Sequence, residues 1–219
     1  MGFGHKALRA AVVACACVAA GGAANALPRP ALQVDFAGEP ASAEAQALAR
    51  WVTDTADNRG RPFAIVDKKR ATVFVFGAQG RLAGAAPVLL GLAPGDHAVP
   101  GVGQKPLSRI LPAERTTPAG RFDSEPGRNL SGEGVVWVDY DSGLAIHRLR
   151  PGASEPGRRQ RLASAALDER RVSLGCIVVA PAFYDAVVGP TLGQRRGVVY
   201  VLPETRSLRE VFGRFGADD

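Results

Sequence analysis

The sequence predicts a mainly β domain of α+β type with a few short peripheral helices, and three observations carry that reading. Short apolar runs with period two recur at residues 63–66, 72–76, 135–140, 144–149 and 198–202. Turns rich in Gly, Pro, Asp and Asn separate them. Helical periodicity is confined to a stretch near the N-terminus and two short stretches near the C-terminus. The 219 residues suffice for one domain with extensions. The expected division is a secretory signal over 1–26, an extension with one helix over 27–60, the β domain over 61–203 and a helical tail over 204–219.

Taken in order, residues 27–39 with Pro28 and Pro30 read as an extended lead-in. Ser42 offers an N-cap for a helix over 43–56, where Ala45, Leu48, Val52 and Ala56 share a face and Asn58-Arg59-Gly60 ends the run. Strands at 63–66 and 72–76 flank the polar turn Asp67-Lys68-Lys69-Arg70, and Ala78-Gln79-Gly80 makes the next turn. Residues 81–92, with Gly84, Pro87 and Gly91, read as strand and loop, and 96–111 as a connection. Thr116 to Gly120 forms a turn before Phe122, 127–134 a loop, and 135–140 and 144–149 two strands across Asp141-Ser142-Gly143. Residues 151–171 read as a solvated surface segment bearing Arg158, Arg159, Arg161, Arg170 and Arg171 against Glu155, Asp168 and Glu169. A short helix with Pro at its start is expected over 181–188, a strand over 198–202 and a helix capped by Ser207 over 207–215. No internal repeat is present in the sequence.

The N-terminus has a basic start (Lys6, Arg9), an uncharged Ala/Val-rich run and Ala24-Asn25-Ala26, the pattern of an export signal cleaved before Leu27. The run is shorter than the ~20 apolar residues of a spanning helix, and no later segment reads as transmembrane, so the exported chain is expected in the periplasm or cell envelope. Cleavage removes two of the 27 basic residues and none of the 21 acidic ones, leaving a net charge of +4. That mild surplus does not suggest a nucleic-acid partner. Cleavage also removes Cys15 and Cys17, so Cys176 becomes the sole thiol. An unpaired Cys in an exported chain has no internal disulfide partner, which favours a reactive thiol over an inert apolar filler.

Such a thiol needs a base, since free thiols titrate near ~8.5. His5 leaves with the signal, His97 lies in the loop Pro94-Gly95-Asp96-His97, and His147 sits on a strand among apolar neighbours. His147 reads either as a hydrogen-bonded core residue or as the general base for Cys176, and the lone downstream Cys favours the base. In Ser173-Leu174-Gly175-Cys176, Gly175 permits a turn that aims N–H groups at one point, an arrangement suited to an oxyanion. Ser173 reads with equal weight as an ordinary bend residue or as a hydrogen-bonding partner near the imidazole.

These residues resemble the catalytic domain of the L,D-transpeptidases, the YkuD-like family. Its mark is a strand His followed by Ser-His-Gly-Cys and an aliphatic residue, and His147 with Ser173-Leu174-Gly175-Cys176-Ile177 is similar to it. Thr117-Pro118-Ala119-Gly120-Arg121-Phe122 is similar to the family's Thr-Pro-x-Gly-x-Phe segment, and the likeness spans residues 72–203. The resemblance implies an L,D-transpeptidase-like β-sandwich or barrel acting on peptidoglycan stem peptides. Cys176 would be the nucleophile, His147 the general acid/base, and the backbone at Leu174, Gly175 and Cys176 the oxyanion hole. No metal or organic cofactor is implied, and no metal-ligand spacing is visible in the sequence.

The sequence departs from the family pattern at Leu174, where a second His is usual, and at Val178, where a polar residue is common. The interval of 29 positions from His147 to Cys176 is also long, and the Arg-rich segment fills it. Arg148, Arg170 and Arg171 are the candidates to supply the missing cation for a substrate carboxylate. The departures keep a second reading open, a degenerate relative that binds peptidoglycan or an envelope partner without turnover. A sortase-like enzyme fits less well, because its Thr-Leu-x-Thr-Cys strand and downstream strand Arg are not matched. Papain-like hydrolases place Cys before His and are disfavoured.

Overall fold

The computed structural model describes residues 1–2, 34–152, 154–213 and 215. Apart from residues 1–2, the expected signal segment lies outside the described residues. The chain divides into Met1–Pro30 and Ala31–Asp219, and all the elements below belong to the second unit. Among the described residues, no helix is long and apolar enough to cross a membrane.

Helix α1 (Ala43–Asp54) starts where Ser42 Oγ accepts a hydrogen bond from Ala45 N at 3.1 Å. It buries Ala45, Leu48, Ala49 and Val52, and the chain leaves helical geometry at Ala56 and Arg59, whose φ angles are +53° and +52°. Strands β1 (Phe63–Asp67), β2 (Thr72–Phe76) and β3 (Leu82–Pro87) follow as an antiparallel meander. Asp67 Oδ1 closes the first turn by accepting from Arg70 N at 3.1 Å. A short β4 (Leu90–Gly91) precedes the long connection, which contains three short 3₁₀ turns.

Strand β5 (Gly120–Arg128) runs nine residues where the sequence reading had only a turn and a loop. Its apolar alternation is masked by Arg121, Asp123 and Glu125, and Pro126 argues against a central strand. The pairing explains the tolerance: β5 bonds to one neighbour through Gly120–Ser124 and to the other through Glu125–Arg128. Strands β6 (Gly134–Asp139) and β7 (Leu144–Arg148) match the expected hairpin.

The segment expected to be merely solvated instead contains helix α2 (Glu155–Ala163). Pro156 lies in its first turn, where no intrahelical N–H is needed, and Leu162 is buried beneath it. Strands β8 (Arg171–Ser173) and β9 (Ile177–Val179) bracket the Cys turn. The helix after β9 is longer than expected: α3 (Pro181–Phe183) continues through a π turn (Tyr184–Val188) into α4 (Gly189–Leu192). Pro190 has no N–H to donate, which accounts for the widened turn just before it. Strand β10 (Gly197–Val201) and helix α5 (Leu208–Phe212), with a Ser207/Glu210 capping box, complete the described chain.

Eight strands form one mixed sheet in the order β3-β2-β1-β10-β5-β6-β7-β9, and β4 pairs with β8. Beyond β3, Leu89 exchanges hydrogen bonds with Val178 of β9 at 2.8 and 2.9 Å, which nearly closes the sheet into a barrel. The interior holds Val66, Val75, Val136, Ile146, Ile177 and Val199, with Tyr184, Val188 and Leu192 packed among them. On the outside of β1, β2 and β10, α1 covers Phe63, Ile65, Phe74, Phe76 and Tyr200. Both faces of these strands are therefore buried, so they read as unbroken apolar runs. The mainly β expectation holds.

A buried ion pair pins the strand ends together. Lys68 Nζ donates to Asp96 Oδ1 at 2.8 Å, Gly95 O at 2.6 Å and Thr117 O at 2.9 Å. Both side chains of the pair are fully buried. Asp96 also accepts from the backbone N–H groups of Glu204, Thr205 and Arg206 and from the Thr205 hydroxyl. Burial alone would push the Asp96 carboxyl up, but the Lys68 ammonium, the Thr205 hydroxyl and the backbone donors outweigh it and hold the carboxyl well below the usual carboxylate range. Asp96→Ala removes the hydrogen-bonded counter-ion of a buried ammonium, leaving it Glu204 at 3.5 Å, a carboxylate shared with Arg171, and is expected to lower unfolding free energy by about 3 kcal/mol, read by urea titration. Because the folded-state pKa is depressed, this stabilisation is complete above the unfolded carboxylate pKa of ~3.9. It is lost as pH falls through the folded value, so wild type and variant are expected to converge only in strong acid.

Candidate active site

Strands β7 and β9 run parallel, with Ile146 beside Ile177 and His147 beside Val178. Alternation settles which side chains share a face. Ile146 and Ile177 point into the barrel, whereas Val178 packs outside it with Leu89, Leu149 and Leu162. His147 and Cys176 have the parity of Val178, so both lie on the outer face, beside the part of α2 that carries Leu162. Cys176 precedes Ile177 and neighbours Ala145, whose backbone N–H acts to lower the thiol pKa.

The turn that presents Cys176 is held from two sides. Ser173 Oγ donates to Cys176 O at 2.6 Å and accepts from Gly175 N at 3.1 Å, closing the turn upon itself. Ser173 thus braces the thiol's own backbone. Thr117 Oγ1 donates to Gly175 O at 2.7 Å and accepts from Gly91 N at 2.8 Å. Gly175 has φ +131°, and a Cβ there would lie 3.0 Å from Thr116 O. Only glycine accommodates both conditions. Leu174, at the crest of the turn, is partly exposed.

Cys176 Sγ donates to Gly143 O at 3.4 Å, and burial pushes the thiol pKa up against the opposing Ala145 N–H and the cations of Arg150 and Arg158. His147 is 8% exposed. Burial lowers its pKa, with Arg150 and Arg158 acting in the same direction and the Arg148 carbonyl and Glu133 opposing. His147 Nδ1 lies 2.7 Å from Arg148 O, a group that only accepts, so Nδ1 carries the proton and Nε2 is the basic nitrogen of the neutral ring. No hydrogen bond directly joins thiol and imidazole among the described residues. The resting pair is therefore a neutral thiol and a neutral imidazole.

The three arginines singled out in the sequence are engaged elsewhere. Arg148 has the opposite parity from His147, lies 4.0 Å over the Tyr184 ring and pairs with Asp185 at 2.5 Å. Arg170 donates to Ser164 O and Ala71 O. Arg171 pairs with Glu204 at 2.5 Å, beside the Lys68 cluster. The cations that act on the thiol are Arg150, 3.6 Å from Glu133, and Arg158, whose buried Nε has no hydrogen-bond partner. Arg158 lies four residues before Leu162, on the same face of α2, a relation visible only once that segment is recognised as a helix. His97 is exposed, with Nε2 3.5 Å from Arg206. Among the described residues there is no cluster of three or more His, Cys, Asp or Glu side chains suited to a metal ion.

No family model matches the chain, and no curated protein matches it. Solved structures do. The helical cell shape determining protein Pgp2 of Campylobacter jejuni is 15% identical over 67% of this chain and 49% of its own, with a TM-score of 0.43. An L,D-transpeptidase of Xylanimonas cellulosilytica is 14% identical over 65% of this chain and 60% of its own, with a TM-score of 0.39. One from Mycobacterium smegmatis is 21% identical over 65% and 58%, with a TM-score of 0.35. The chain spans about half the length of the Pgp2 structure.

Two outcomes follow from the site's geometry. Thr117→Val removes the hydroxyl that serves Gly91 N and Gly175 O, and is expected to cost about 1–3 kcal/mol in thermal or urea unfolding. In the resting protein, iodoacetamide alkylation of Cys176 is expected to accelerate with pH through an inflection above the ordinary thiol range, since burial disfavours the thiolate.

Proposed function

We propose that the protein is an exported cysteine acyltransferase of L,D-transpeptidase type, acting on peptidoglycan stem peptides in the periplasm or cell envelope. The supporting observation is that β7 and β9 bring Cys176 and His147 onto one outward face, with a glycine turn at the thiol and His147 Nε2 unprotonated. In the proposed reaction, His147 Nε2 takes the Cys176 proton as sulfur adds to the peptide carbonyl. The tetrahedral intermediate collapses with C–N cleavage, and the imidazolium returns the proton to the departing D-amino acid. An amine or water then attacks the thioester, the C–S bond breaks, and the attacking group's surplus proton passes through His147.

The oxyanion is assigned to the turn's backbone. Gly175 N is already committed to Ser173 Oγ, which leaves the N–H groups of Leu174 and Cys176 as its proposed donors. Arg158 and Arg150 stabilise the thiolate as it forms, a role different from the substrate-carboxylate contact considered for Arg148, Arg170 and Arg171. The lack of a direct thiol–imidazole bond supports a second reading, a protein that binds stem peptides without turnover.

Intact-mass measurement separates the two. Incubated with a stem tetrapeptide, wild type is expected to gain an acyl adduct that Cys176→Ala lacks, and His147→Ala is expected to acylate about 10²- to 10⁴-fold more slowly. Peptide binding by a wild type that never forms the adduct would establish the non-catalytic reading instead.

A further inference from the structure

Between His147 and Cys176 the chain leaves the barrel as a strap whose two ends are fixed. At one end Leu149 N donates to Val179 O at 2.8 Å. At the other, Arg170 donates to Ser164 O and to Ala71 O. Residues 150–163 lie between these anchors and carry α2. Among the described residues, no hydrogen bond or ion pair joins α2 to the barrel: Arg159 pairs with Glu155 of the same helix, and Arg161 donates to Glu169 O within the same segment. Its one buried side chain is Leu162, 6% exposed and seated among Leu89, Leu149 and Val178. A nine-residue helix containing Pro156 and Gly157 is marginal by itself, so its place on the barrel rests on that seat.

The seat lies over the candidate site. His147 is on the outer face of β7 and is nevertheless buried, so another element covers it. Helix α1 covers β1, β2 and β10 instead. Outside β7 and β9 the apolar cover comes from Leu162 of α2, packed against Val178 beside His147. Arg158, one turn before Leu162, has its Nε buried with no hydrogen-bond partner, and its charge acts on both His147 and Cys176. Docking thus seats one leucine at the expense of an arginine's solvation, a balance that leaves the strap close to release. The way outward is open, because a Cβ at Gly152 or Gly157 would have no atom within 4 Å. Gly152, with φ +139°, supplies a turn at the base of the strap that other residues rarely adopt.

We propose that α2 is a gate over the Cys176 and His147 face. Residues 150–163 swing outward about Gly152 and Ser164, Leu162 leaves its seat, and the thiol, only partly exposed when the strap is docked, opens to a bulky molecule. Reclosure returns Arg158 to the thiol. Substrate entry as the purpose of the gate rests on the acyl-transfer reading; the control of access to the thiol does not.

The test uses the full chain and follows alkylation at Cys176, by peptide mapping, with N-ethylmaleimide and with a maleimide carried on polyethylene glycol. A change in thiol ionisation alters both rates alike, so the ratio of polymer to small-reagent rate reports access. Leu162→Ser is expected to raise that ratio about ten- to hundredfold and to speed amide hydrogen exchange across 155–163. Replacing residues 154–163 by a Gly/Ser segment of equal length removes the helix and is expected to raise the ratio at least as far. Leu130→Ser, at an exposed leucine in the turn between β5 and β6, is expected to leave it at the wild-type value. In wild type, polymer alkylation at low urea is expected to depend on urea less steeply than global unfolding does. An unchanged ratio in the Gly/Ser protein, an unchanged ratio in a Leu162→Ser protein whose α2 amides exchange freely, or a wild-type urea dependence as steep as that of global unfolding would each overturn the gate. A protein that gates its thiol and never forms an acyl adduct refutes the catalytic reading alone, because the ratio is independent of turnover.

Discussion

Lys68 is the cation on which the arrangement of the site depends. Its ammonium holds the Thr117 carbonyl, while the Thr117 hydroxyl holds the Gly175 carbonyl inside the Cys turn. The same ammonium is neutralised by Asp96, which gathers the chain at 204–206. A buried charge with several partners in fixed directions tolerates little displacement. Two hydrogen-bonded steps therefore lead from the ion pair to the residue beside Cys176. Ser173 closes the turn from the other side, so the thiol's position is determined from within its own turn and from the opposite strand ends.

The electrostatics of the site follow from burial. The thiol is pushed up and the imidazole down, which leaves both neutral at rest. A resting thiolate would be reactive towards any electrophile or oxidant that reached it. In the proposed reaction a neutral pair would delay ionisation until a carbonyl is present to accept the charge, with the cations of Arg150 and Arg158 favouring the thiolate. The cost is a smaller thiolate fraction before substrate binds.

Much of this was legible in the sequence where one physical rule dominated. Ser42 and the spacing of Ala45, Leu48 and Val52 announced α1, and the apolar runs of β1, β2 and β10 announced strands, though not that both of their faces are covered. The expected loss of Cys15 and Cys17 with the signal and the scarcity of His singled out Cys176 and His147. Elsewhere, rules competed. In β5, charged residues and Pro126 concealed a strand that changes neighbours halfway, a property of tertiary pairing. In α2, Pro156 and Gly157 resemble loop punctuation, yet they fall in the first turn, where they cost little. That misreading also hid Arg158, because its relation to Leu162 exists only on a helix. Arg148, Arg170 and Arg171 were chosen by proximity in sequence, but strand parity turns Arg148 away, while carbonyl and carboxylate partners hold the other two. Lys68 looked like a turn residue; its burial depends on Asp96, 28 positions away.

The central claim is that a neutral His147 ring takes the proton of Cys176 as the carbonyl is attacked. The pH dependence of kcat/KM for acylation tests it most directly. An acid limb is expected, with an inflection below the ordinary His value of ~6.5, present in wild type and absent from the slow residual reaction of His147→Gln. A profile that instead follows thiol ionisation above the usual cysteine range, and has the same shape in both proteins, would contradict it.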